Sequence, residues 1–172
     1  ALILYKNAGE MLKKHKGSSN QKIELQLAIG ALYFEAGDYN NSKEYYSTAL
    51  NVMEEKFDGR HPELSETTGK LSEIYLAAEL YSEALAYIEQ AQNANTKEEI
   101  KIDRTLMSNI NKVAFPFQLL NSITTKAIIQ YRQLGENATE ETLKKILAHY
   151  SISTELLHQL RNTYRNEGSQ YK

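Results

Sequence analysis

The stretch that decides the fold is residues 29–49, IGALYFEAGDYNNSKEYYSTA, read against residues 71–91, LSEIYLAAELYSEALAYIEQA. Tyr33 pairs with Tyr75, Tyr39 with Tyr81, Ser42 with Ala84, Tyr46 with Ile88 and Ala49 with Ala91, every pair 42 residues apart. Small residues meet small ones and large meet large, so one supersecondary unit is written twice. Leu25, Ala28, Ile29, Leu32 and Tyr33 before the turn, and Tyr46, Ala49, Leu50, Met53 and Phe57 after it, keep the i, i+3, i+4 spacing of amphipathic helices. Gly37-Asp38 between them is a turn signal. Each unit is therefore helix, tight turn, helix. Small residues at Gly30, Ser42 and Ala49 permit close helix approach, and tyrosines fill the space beside them.

The small residue, Tyr, Gly-x-Tyr, Ala, aromatic, Ala order resembles the tetratricopeptide repeat, whose usual period is about 34 residues. The extra residues here lie in a longer second helix, Asn51 to Phe57, and in Asp58-Gly59-Arg60-His61-Pro62-Glu63. That extension resembles the kinesin-light-chain-like subgroup. Pro62 suits the first turn of a helix. The resemblance implies an all-α fold: antiparallel helix-turn-helix repeats stacked as a short right-handed solenoid with a C-terminal helical cap.

Residues 1–16 read as a helix with Leu4, Tyr5, Ala8, Met11 and Leu12 on one face, matching the second helix of an earlier, partial repeat. The expectation is a chain that begins mid-array and is a piece of a longer protein. Repeats follow at 22–57, where Ser18-x-x-Gln21 supplies a capping box, and at 62–95. Residues 96–168 read as a degenerate repeat and cap, since terminal units of solenoids are atypical. Within them, Thr96-x-x-Glu99 starts a helix over 97–115 carrying Ile102, Leu106, Ile110, Val113 and Phe117, which Pro116 ends or kinks. Phe117, Leu120, Ala127, Tyr131 and Leu134 form the next stripe, and Gly135 ends it. Asn137-x-x-Glu140 opens a helix with Leu143, Ile146, Leu147 and Tyr150, which Ser151 to Ser153 break. Leu156, Leu157, Leu160 and Tyr164 make the last helix, closing near Gly168, and 169–172 form a frayed tail.

Composition narrows the function. Of 172 residues, 41% are hydrophobic and 24% charged, which suits one folded domain. Only 8 Gly and 2 Pro argue against a many-stranded β protein, and zero Cys excludes thiolate chemistry and disulfides. Tyr at 12 against no Trp belongs to the repeat. A net charge of −2 gives no basic footprint for nucleic acid, and no apolar run is long enough to insert in a membrane. Lys13-Lys14-His15-Lys16 complements a helix C-terminus. No phosphate loop occurs. His61 belongs to the His-Pro turn. Glu155-x-x-His158 has helical metal-pair spacing but lacks a matching second motif, and His149 and His158, close across the 151–153 turn, lack a third ligand. Asn40-Asn41-Ser42 and Asn137-Ala138-Thr139 match the glycosylation sequon by coincidence. The reading is no enzyme, no cofactor and no metal.

The resemblance implies partner binding along the concave face, lined by first helices. Projection places Glu24, Leu27, Ala31, Phe34 and Glu35 there from one unit, and Glu66, Gly69, Lys70, Glu73 and Leu76 from the next. Phe34 and Leu76 are either anchors for a partner or contacts to a neighbouring helix. Leu27, Ala31, Gly69 and Glu73 stand where the carboxylate clamp of chaperone-binding repeats needs Lys, Asn and Arg. Leu27-Ala28 and Gly69-Lys70 stand where kinesin-light-chain grooves carry paired Asn. The groove is mixed or acidic and suits an apolar or basic segment. The expected role is an interaction scaffold or adaptor within a larger multiprotein assembly, cytoplasmic, with cytoskeletal or ciliary association fitting the subgroup. The competing readings are a peptide-sensing regulator and an accessory region of an enzyme whose catalytic domain lies elsewhere.

Overall fold

A computed structural model describes residues 17–57, 59, 61–95, 115–135 and 139–169, with positions 3, 7, 10, 11, 106 and 113 besides. Ser18 caps the first helix, α1 (Ser19–Glu35), with the reciprocal box its sequence encodes: Gln21 N–H donates to Ser18 Oγ at 3.3 Å and Ser18 N–H to Gln21 Oε1 at 3.0 Å. Asp38 opens α2 (Tyr39–Lys56) by accepting from the Asn41 N–H at 3.2 Å. Pro62 stands at the first turn of α3 (Pro62–Ala77), and His61 caps it, Nδ1 accepting from the Glu63 N–H at 3.3 Å. The His61 ring also stacks on Phe57, centroids 3.7 Å apart. These contacts fix the long connection between units. The second unit closes with α4 (Tyr81–Ala94).

The two helix-turn-helix corners are superposable bond for bond. Asp38 N–H donates to Tyr33 C=O and Leu80 N–H to Tyr75 C=O, both at 2.9 Å. Gly37 takes φ 74° in the first corner, and Glu79, 42 residues on, takes φ 59° in the second. A side chain in that left-handed region is strained, and glycine is not. The crossings behind the corners are equally close. A Cβ on Gly30 would stand 3.2 Å from the Tyr46 ring, so only glycine fits without moving it. Ser42 Oγ donates to Gly30 C=O at 2.9 Å, and in the second unit Ser72 Oγ donates to Ala84 C=O at 2.7 Å. The same crossing carries its hydroxyl on opposite helices. Stacked tyrosines flank both: Tyr33 on Tyr45 at 5.5 Å and Tyr75 on Tyr87 at 5.2 Å. The Lys43 ammonium, 5.8 Å from the Tyr75 ring, joins one unit to the next.

Burial follows the chain. One cluster, including Ile23, Leu50, Met53, Leu64, Leu71 and Ile74, joins α1 to α4. A second, Ala84, Ile88, Ala91 and Ile129, seats α5 (Pro116–Leu134) on α4. A third, including Leu106, Val113, Leu119, Ile123, Ile152, Leu156 and Leu160, seats α6 (Glu140–Ser169) on α5. Each helix packs on its sequence neighbour, and α3 also meets α5. The result is an all-α solenoid with no strand among the described residues.

The C-terminal half departs from its sequence reading. Pro116 begins a helix instead of ending one, because a first-turn N–H has no intrahelical partner to lose. The buried face of α5 runs through Leu119, Ser122, Ile123, Ala127 and Ile129, so Phe117 and Tyr131, placed in the apolar stripe, are exposed. Gly135 ends α5 as expected, with φ 50°. Thr139 caps the start of α6, its Oγ1 accepting from the Thr142 N–H at 3.3 Å, and Asn137 lies outside the described residues. The helix does not break at 151–153. Ser153 and Thr154 hydroxyls each donate to the Tyr150 carbonyl at 2.8 Å, so they attach to the helix and do not compete with it. His149 and His158 therefore stand about 13.5 Å apart along one axis and do not meet. The capping box at 96–99 lies outside the described residues, as do the tail from 170 and most of 1–16 and 97–115. Of those last two stretches, Ile3 and Met11 are exposed, and Leu106 and Val113 are buried but not α-helical.

Replacing Glu79 by Gly relieves the left-handed strain and should raise stability by about 1 kcal/mol, while Gly37→Ala should lower it by a similar amount. Paired urea titrations of the two variants check both signs. A second expectation concerns α5 and α6. Burial, and then the nearby Lys126 ammonium, push the His149 imidazole below its ordinary value of 6.5. The unfolded chain takes up that proton near 6.5 and the folded chain resists it. The stabilising contribution is therefore complete above that value and declines as pH falls through it. Melting temperature should drop between pH 7.5 and 5.5, and His149→Gln should flatten that part of the curve.

Candidate protein-interaction site

A cleft of about 300 Å³ opens between α3 and α5, with Ile88 and Ala91 of α4 behind it. One wall carries Glu66, Gly69, Lys70 and Glu73, one to two turns apart on the same face of α3. The other carries Phe117, Asn121 and Thr125, spaced by four along α5. Gly69 makes the room, since nothing lies within 4 Å of where its Cβ would be. Ser65 Oγ donates to Ala91 C=O at 3.1 Å and receives the Asn95 amide at 2.6 Å, so the floor is tied to α4.

The charges are arranged around Lys70. Its ammonium lies 2.9 Å from Glu73 Oε2 and 5.2 Å from the Phe34 ring centroid. Glu66 adds a second carboxylate to this wall, leaving it one negative charge in excess. Glu66, Glu73 and Glu35 all act on the Tyr46 phenol. Burial first, and then those three carboxylates, push it up to about 12. A second cleft, of about 450 Å³, shares Glu73, Asn121 and Thr125 with the first and continues to Leu120, Ser153 and Leu157. The two make one groove that crosses from α3 over α5 to α6.

Of the residues projected onto the concave face, Glu66, Gly69, Lys70 and Glu73 line the cleft. Phe34 adjoins it through Lys70, but it is half-buried, packs on the first core cluster and meets Tyr39 edge-on at 5.6 Å. Leu27 is half-buried on the same cluster, and Leu76 on the second. Ala31 is half-buried and Glu35 exposed. Glu24 stands apart, in a separate cavity of about 120 Å³ beside Asn20, Lys56 and His61. The α5 wall was absent from the projection. Its signal is the four-residue spacing of Phe117, Asn121 and Thr125 downstream of a proline that starts a helix. Among the described residues no group of three His, Cys, Asp or Glu side chains could hold a metal ion, and no helix is long and apolar enough to cross a membrane.

No curated protein sequence matches the chain. Its fold is similar to the crystal structure of BtubC (BKLC) from P. vanneervenii, with a TM-score of 0.72 at 10% identity over 93% of this chain. The chain spans 56% of the length of that structure. The family model described as tetratricopeptide repeat matches residues 22–97, which hold α1 to α4. Two units at a 42-residue offset and the small-residue crossings agree with this match: residues 22–97 are similar to the tetratricopeptide repeat family.

Proposed function

We propose that this chain is a non-catalytic interaction scaffold that grips a segment of a partner protein in the groove between α3 and α5. Tetratricopeptide repeats are in general protein-interaction modules. The observation that carries the reading is the cleft held open at Gly69, with side chains from two first-of-pair helices facing each other across it. The surplus carboxylate at Glu66 and the exposed Phe117 ring suit a segment with basic and apolar residues. We read α5 and α6 as a degenerate repeat whose first helix supplies the far wall and whose second caps the array. The scaffold holds its partner within a larger assembly and contributes position, not chemistry.

Gly69→Phe tests this directly. The new ring fills empty space, and replacing a helical glycine favours the helix by about 0.5–1 kcal/mol, so folding should be kept or improved. Partners captured from native lysate by the wild-type chain and quantified by mass spectrometry should fall at least about tenfold with Gly69→Phe, and also with Glu66→Lys/Glu73→Lys. Lys22→Glu, on the exposed face of α1, should capture normally. Undiminished capture by both cleft variants would remove the groove from the mechanism.

A further inference from the structure

Most hydroxyls that line the groove have already given away their protons. In the α3–α5 cleft, Ser65 Oγ donates to the Ala91 carbonyl at 3.1 Å and Ser122 Oγ to the Leu119 carbonyl at 2.7 Å. Further along, Thr124 Oγ1 donates to the Leu120 carbonyl at 3.0 Å, and Ser153 and Thr154 both donate to the Tyr150 carbonyl at 2.8 Å. A hydroxyl carries one proton, so toward an occupant each of these oxygens can only accept. The carboxylates of Glu66 and Glu73 are acceptors too. Lys70, the cation among the described lining residues, is committed to Glu73. The Gln118 and Asn121 amides and the Thr125 hydroxyl can turn either way. Gly69 is the gap in the α3 wall, with Glu66 three residues before it and Glu73 four after, each about 5–6 Å along the helix axis. Glu66 is exposed and makes no ion pair among the described residues. Burial, and then Glu66, Glu73 and Glu35, raise the Tyr46 phenol, so the field here stays negative in spite of Lys70.

A lining of this kind calls for an occupant that only donates. We infer that the groove selects arginine: a guanidinium of the partner segment enters over Gly69, donates to Glu66 on the α3 wall and to hydroxyl oxygen on the α5 wall, and lays its face against the Phe117 ring. The inference rests on the reading of the groove as a partner site and names the residue that site takes. A guanidinium has five N–H donors in a flat fork and no acceptor, so it leaves nothing unmatched against such walls. Its weak hydration and planar face also suit a slot edged by an aromatic ring. Lysine matches the charge, but its donors sit on one strongly hydrated point and do not spread across the cleft. A carboxylate or phosphate brings only acceptors and is refused both by charge and by the shortage of donors.

Peptides of about ten residues, identical but for one central Arg, Lys, citrulline or Glu, provide the probe. Amide chemical shifts of the full 172-residue chain read both affinity and place. The Arg peptide should move the Gly69 and Thr125 amides and bind about tenfold more tightly than the Lys peptide. The citrulline peptide, which keeps the shape and loses the charge, and the Glu peptide should bind more weakly still. Glu66→Gln, at an exposed position that folding does not need, should weaken the Arg peptide about tenfold. Gly69→Phe should abolish binding, and Lys22→Glu should leave it unchanged. Equal affinity for Arg and Lys, with shifts still at Gly69, would overturn the choice of arginine and leave the groove standing. So would an Arg peptide that fails to bind while capture from lysate stays sensitive to Gly69→Phe. Arg binding that survives Gly69→Phe, or shifts that map to other helices, would overturn the inference and the groove together.

Discussion

The architecture depends on how near α1 and α2 can come, and Gly30 sets that distance. With no Cβ there, the Tyr46 ring lies directly on the α1 backbone, and the Ser42 hydroxyl reaches the Gly30 carbonyl. Tyr46 is thereby held in the first core cluster, against helices of both units. In the second unit Ser72 replaces Gly30 and the smaller Ile88 replaces Tyr46, so the hydroxyl now comes from the first helix and bonds Ala84. Bulk removed from one helix is added to the other, and the crossing stays equally tight. Close packing of this kind tolerates exchange between partners better than change in total volume.

The 42-residue period has a local cause. α2 has 18 residues and α4 has 14, and the additional turn of α2 ends at Phe57. There the ring stacks on His61, which caps α3, while Lys56 donates to Asn20 at the start of α1 and approaches the Phe57 ring at 4.6 Å. The long connection is therefore pinned by a local ring stack and by a contact back to the start of α1. Gly59, at φ 70°, makes the bend between them. A longer period here means a longer helix and a fixed bend, not a loose loop.

The repeats were legible because their packing is local and written twice. Tyr33, Tyr75 and the small residues at each crossing recur at one offset, and helix periodicity assigns the rest. Tyr45 and Tyr87 share that offset and form the stacked pairs, but they were not singled out, since adjacent tyrosines obscure which ring faces inward. Beyond residue 95 no offset exists, and single positions had to carry the reading. There Ser151 and Ser153 read as a break, although their neighbourhood holds neither Gly nor Pro and hydroxyls can bond back to helix carbonyls. The same loss of an internal standard explains the site. Glu66, Lys70 and Glu73 on α3 could be projected from the repeat, while Phe117, Asn121 and Thr125 on α5 could not. Leu27 and Leu76 are half-buried against the core clusters, a depth the sequence does not state, because periodicity gives the face of a helix and not its distance from the next one.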